Sequence, residues 1–165
     1  MIVNGSVLLR NKPIKDMLDH KVNDGLVSHG LSEAGYDIRI KQEISFTRFD
    51  DGMNYRVGEY PAQFQVGRFT LASAIEEFQM PDNLVGIVHD KSTWARHGLS
   101  VFNTVIEPGW KGFLTLELVY HGSGDLHIPA GSGIAQVVFH LTAEQKVYGG
   151  KYQNQEDRPV GPIHL

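Results

Sequence analysis

From residue 36 to residue 141 the chain is a series of short runs rich in β-branched and aromatic residues, cut by turn formers roughly every ten positions. The runs are "YDIRI", "EISFTRF", "AQFQV", "FTLASAI", "LVGIVHD", "LSVFNTVI", "FLTLELVY", "DLHIPA" and "IAQVVFHL"; the turns include "DDGMN", "PDN", "EPGWKG", "HGSGD" and "AGSG". Such spacing leaves no room for long helices. It predicts a mainly β domain, a distorted barrel or jelly-roll-like sandwich, with a few short helices. Helices are expected at "GSVLLR", at "PIKDMLDH" with Pro13 in the first turn, and in "DKSTWARHG", where Ser/Thr opens and Gly98 closes a turn or two.

A chain of 165 residues fits one domain with a real core. No stretch approaches the roughly 18 apolar residues of a membrane span. There is no basic, apolar leader with a small-residue cleavage site, so the expectation is a cytoplasmic protein. The formal net charge of −4 argues against a general nucleic-acid binder. It leaves open a small anion, which a few local cations can hold. There is no cysteine, which removes disulfides, thiol nucleophiles and thiolate metal sites. The zinc deaminase signature, H-x-E with P-C-x-x-C, is therefore impossible. The histidines show no HExxH or HxH spacing, and no P-loop, G-x-G-x-x-G after a strand or G-x-S-x-G is present.

The run "FLTLELVY" contains an anomaly. In an extended strand Leu114, Leu116 and Leu118 share one face, expected to be core, and Phe113, Thr115, Glu117 and Val119 share the other. Glu117 is either a solvated residue on a half-exposed strand or a carboxylate in a partly apolar pocket. In the second case its pKa rises and it shuttles protons near neutral pH. Glu107 lies at the other end of the adjoining turn. Lys91, Ser92, Thr93 and Arg96 follow a strand at a helix start, either as a phosphate cradle or as a capped, solvated helix end. Trp94 is most simply a core anchor. The polar tail "YGGKYQNQEDRPVGPIHL" is a disordered end or an arm that orders over something.

Five segments, in order, resemble the dCTP deaminase branch of the dUTPase superfamily: "AGYDIRI" (34–40), "DKSTWARHGL" (90–99), "IEPGWKGFLTLEL" (106–118), "GSGIAQVVF" (131–139) and "GGKYQNQ" (149–155). The resemblance covers nearly the whole chain. It implies a dUTPase-type fold over residues 1–147, a C-terminal lid over 148–165, and a homotrimer with active sites at subunit interfaces. The implied reaction is zinc-independent deamination of dCTP to dUTP and ammonia, which feeds thymidylate synthesis.

By that resemblance Glu117 activates water for attack at C4 of cytosine, and Ser92 and Arg96 hold water, base and phosphate. Lys91 and Thr93 share the phosphate-contacting segment, and Gln136 lies near the phosphates. Tyr148, Lys151 and Gln155 belong to the lid. Trp110 stands by the deoxyribose. Asp37 is either structural or near a magnesium ion that rides on the phosphates rather than in a protein cage. Asn103, Thr104 and Val105 are the candidates for reading the pyrimidine edge, through backbone groups.

Compared with familiar bacterial deaminases, the stretch between Arg96 and Glu117 is about two residues shorter, which would admit a 5-substituted cytosine. Three other readings compete. A dUTPase normally carries "GVID-x-x-Y-x-G", where this chain has Glu107 and Trp110, and a Gly-rich arm ending in phenylalanine, which "KYQNQ" does not match. A bifunctional enzyme would also cleave the dUTP it makes to dUMP, with Glu107 in place of the usual aspartate. The last reading is a non-catalytic nucleotide-binding regulator.

Overall fold

The apolar runs pair antiparallel in the structure, a computed structural model that describes residues 1–50, 52–58 and 63–164. In chain order the first strands are β1 (Ile2–Val3), β2 (Lys21–Val22), β3 (His29–Leu31), β4 (Tyr36–Arg39), β5 (Ile44–Phe49), β6 (Gly52–Val57) and β7 (Gln65–Val66). They continue with β8 (Phe69–Gln79), β9 (Leu84–Asp90), β10 (Leu99–Val101), β11 (Val105–Ile106), β12 (Lys111–Tyr120), β13 (Leu126–Ile128) and β14 (Gly133–Leu141). Two short helices, α1 (Gly5–Asn11) and α2 (Ser92–Ala95), complete the elements. No described helix is long and apolar enough to cross a membrane.

The mainly β fold read from the turn spacing is therefore present, as three sheets rather than a closed barrel. The largest runs β11-β9-β14-β4-β3-β2, with β1 also on β14. A second runs β10-β12-β8 and a third β13-β5-β6-β7. Ile38, Ile40, Phe46, Phe78, Leu116 and Phe139 are fully buried in the common core. Burying side chains of this size stabilises by roughly 1.5–3 kcal/mol each.

Three local expectations change. "PIKDMLDH" is not helical. Ile14 is buried and bridges Phe78, and Gln79 N donates to Pro13 O, so this segment extends the second sheet instead. "LSVFNTVI" is not one strand but two, broken at residues 102–104. Leu114 is only partly buried: it packs against the core but also lines one cavity with Thr115 and Glu117, at the point where the β12–β8 register slips, with two extra residues on β8. Of "AQFQV" and "DDGMN", Ala62 and Asp51 lie outside the described residues, as does Leu165 of the tail.

Candidate active site

β12 is paired with β8 along one side, but its other side is covered piecemeal. β10 reaches only Leu118, Val119 and Tyr120. Next to it, Phe102 N donates to Glu117 O at 2.8 Å. The Asn103 side chain then takes over: Oδ1 accepts from Glu117 N at 3.0 Å and Nδ2 donates to Thr115 O at 2.6 Å. The C-terminal segment covers the rest. Thr115 donates through its N and Oγ1 to Gln155 Oε1, and Phe113 N donates to Gln155 O. Gly112 makes this approach possible. Its φ is 128°, and a Cβ there would stand 2.5 Å from Gln155 N.

A cavity of about 530 Å³ opens beside the middle of β12, at Leu114, Thr115 and Glu117. Its walls are largely apolar, with Phe69, Leu71, Ile106, Leu114 and Val160 among them. Glu117 faces into it, and burial pushes this carboxyl above its ordinary pKa. Of the residues expected from the sequence, Asn103, Thr104, Val105, Glu107, Trp110, Tyr148 and Gln155 line the same cavity. Thr104, Val105 and Glu107 are exposed, whereas Trp110 is buried and donates from Nε1 to Tyr152 O at 2.7 Å. Thr115, Tyr152 and the apolar walls were not singled out from the sequence. Thr115 was signalled by its alternation with Glu117, and Tyr152 by its place in "GGKYQNQ".

Of the remaining candidates, Lys91, Asp37 and Gln136 lie together at β4 and β14. Lys91 and Asp37 make an ion pair at 2.6 Å with side chains 11% and 2% exposed. Gln136 lies opposite Asp37 in the sheet and donates to Ser32 Oγ at 2.8 Å. Ser92, Thr93 and Arg96 are exposed and lie outside the cavity lining. Trp94 between them is a core anchor, buried and donating to Gly133 O at 2.7 Å. Lys151 is exposed in the tail, with its ammonium 5.3 Å from the Tyr152 ring centre and bonded to Ile163 O.

The tail is fastened to the body. Tyr148 N donates to Pro108 O, Asn154 N to Lys111 O and Val160 N to Thr115 Oγ1, while Lys41 pairs with Asp157. Among the described residues no group of three or more His, Asp or Glu side chains is placed to hold a metal ion.

A family profile described as dCTP deaminase-like matches residues 8–142. Over 164 residues the chain is 38% identical to the dCTP deaminase of Campylobacter jejuni (strain RM1221), with 89% of this chain and 88% of that protein covered. Among solved structures, 2′-deoxycytidine 5′-triphosphate deaminase from Agrobacterium tumefaciens aligns with a TM-score of 0.59 at 16% identity, over 86% of this chain and 48% of that one. A mutant dUTPase from phage phi11 of S. aureus, a structure describing the coordination of a structural Mg(II) ion, aligns with a TM-score of 0.52 at 13% identity, over 83% and 92% of the two chains. At these identities the structural likenesses concern the fold.

Proposed function

The chain belongs to the dCTP deaminase-like family, and from that premise we propose that it hydrolyses dCTP to dUTP and ammonia. The observation that carries this reading is Glu117, a carboxylate with a raised pKa in an apolar-walled cavity large enough for a pyrimidine nucleoside. As the carboxylate it takes a proton from water while the oxygen attacks C4 of cytosine. As the acid it then gives a proton to the exocyclic nitrogen, and the C4–N bond breaks with loss of ammonia. The apolar walls keep bulk water away from this exchange and strengthen each polar contact inside. Main-chain groups of Asn103, Thr104 and Val105 lie where they can read the pyrimidine edge. Trp110 backs the sugar.

Magnesium belongs to the substrate, riding on the triphosphate. Lys91, Ser92, Thr93, Arg96 and Gln136 supply the anion contacts. Ser92, Thr93 and Arg96 are exposed and outside the cavity of their own chain, which fits their serving the Glu117 of a second copy. This supports a homotrimer with sites at subunit interfaces. Tyr148, Lys151 and Gln155 act as the lid.

A second reading rests on Glu107, which lines the same cavity as Glu117. It is an acid at the position from which water could be aimed at the phosphates, giving dUMP and pyrophosphate. The test is an incubation with dCTP and magnesium, with dUTP run in parallel and products separated by anion exchange. dUTP as sole product supports deamination alone. dUMP supports the second activity. Cleaved dUTP with untouched dCTP would make the protein a dUTPase, and turnover of a 5-methyl-dCTP control would extend the substrate class.

A further inference from the structure

The carboxamide of Asn103 occupies an unusual place. A carboxamide presents the same kinds of group as a peptide, an N–H donor and a carbonyl acceptor, with one N–H more. Here those two groups meet Thr115 O at 2.6 Å and Glu117 N at 3.0 Å, the main-chain groups that the N–H of residue 104 and the carbonyl of residue 102 would meet if β10 ran on in register. The neighbouring strand is not there to fill them, because β10 ends at Val101 and β11 begins at Val105 on a different sheet. Between these ends Asn103 and Thr104 turn to line the cavity. Without the side chain, Thr115 O and Glu117 N would lose their partners beside a largely apolar space, a cost that normally prevents a strand from being left open.

We infer that Asn103 is a positioning residue for Glu117: its side chain replaces one strand residue beside β12, so that the main chain can swing out and form the pyrimidine wall without loosening the catalytic strand. The role of Glu117 in this statement rests on the proposed deamination. The inference assigns the Asn103 carboxamide to the protein's own backbone, and leaves base reading to main-chain groups of the loop. Held by both Thr115 and Glu117, the carboxamide has its orientation set by the strand and keeps only one N–H and one oxygen lone pair.

The test compares Asn103→Ala and Asn103→Asp with the wild-type protein by steady-state kinetics on dCTP and by amide hydrogen exchange at Glu117. Asn103→Ala is expected to lower kcat by at least about tenfold with KM within about threefold, and to speed exchange of the Glu117 N–H. A protonated aspartic acid again has one donor and one acceptor, so the ratio of the Asn103→Asp rate to the wild-type rate should rise as the pH falls. Asn103→Asp also serves if the alanine variant does not fold. A large rise in KM with kcat held would mean a direct contact with the base and would overturn the inference. If the wild-type protein leaves dCTP untouched, the deaminase reading fails by itself. Glu117 N–H exchange then decides the clamp: faster exchange in the variant upholds it, and unchanged protection overturns it.

Discussion

Thr115 donates through its hydroxyl to Gln155 Oε1 at 3.0 Å, tying the C-terminal segment to β12 two residues from Glu117. Val160 N donates to the same hydroxyl at 3.0 Å. One buried threonine thus joins the tail, the cavity wall and the strand that carries the carboxylate. A segment that closes over a ligand and is anchored beside the reacting group can couple closure to chemistry.

Removal of residues from Tyr148 onward should weaken dCTP binding by at least about tenfold while the β sheets still unfold cooperatively. Gly112→Ala should act in the same direction with the tail still present, because the added methyl collides with Gln155 N. Binding is measured by calorimetry and folding by urea denaturation. Unchanged dCTP affinity in the truncated protein would remove the lid.

The Lys91–Asp37 pair is buried, and Asp37 Oδ1 has no hydrogen-bond partner among the described residues. Lys91→Met should leave a buried carboxylate without its counter-charge and destabilise the fold by about 3–5 kcal/mol. Adding Asp37→Asn should recover most of that loss. The measurement is the urea midpoint of each single variant and of the double variant. A double variant no more stable than Lys91→Met would show that the pair does not hold this part of the sheet.

Burial raises the Glu117 pKa. The base form is the carboxylate, which predominates above the pKa, so kcat/KM should fall on the acid side as Glu117 takes up a proton. With the folded value raised, this limb should lie above the ordinary glutamate value of about 4.3. A profile of kcat/KM against pH, corrected for unfolding, locates it. A limb at or below the ordinary value would contradict a desolvated base.

Much of this site was legible as residue types and not as contacts. Glu117 in an apolar run, Trp94 as an anchor and the mainly β class follow from alternation and turn spacing, which are local. Leu114 is different. It lines the cavity beside a slip against β8, about forty residues earlier in the chain. Asn103 likewise reads as part of one strand, because nothing in "LSVFNTVI" says that a side chain will replace a backbone rung. "PIKDMLDH" has the composition of a helix but is drawn out by burial of Ile14 against Phe78. In each case the deciding partner is far away in sequence, so propensity and periodicity carry no record of it.

The most direct test of the account compares the wild-type protein with Glu117→Gln in a single turnover of dCTP with magnesium, while binding of dCTP is measured in parallel. Glutamine keeps the shape of the side chain but neither accepts the proton from water nor delivers it to the leaving nitrogen. The prediction is dUTP and ammonia from the wild-type protein, and no detectable dUTP from Glu117→Gln with dCTP still bound. Turnover by Glu117→Gln at a rate near that of the wild type would contradict the assignment of Glu117 as the proton carrier.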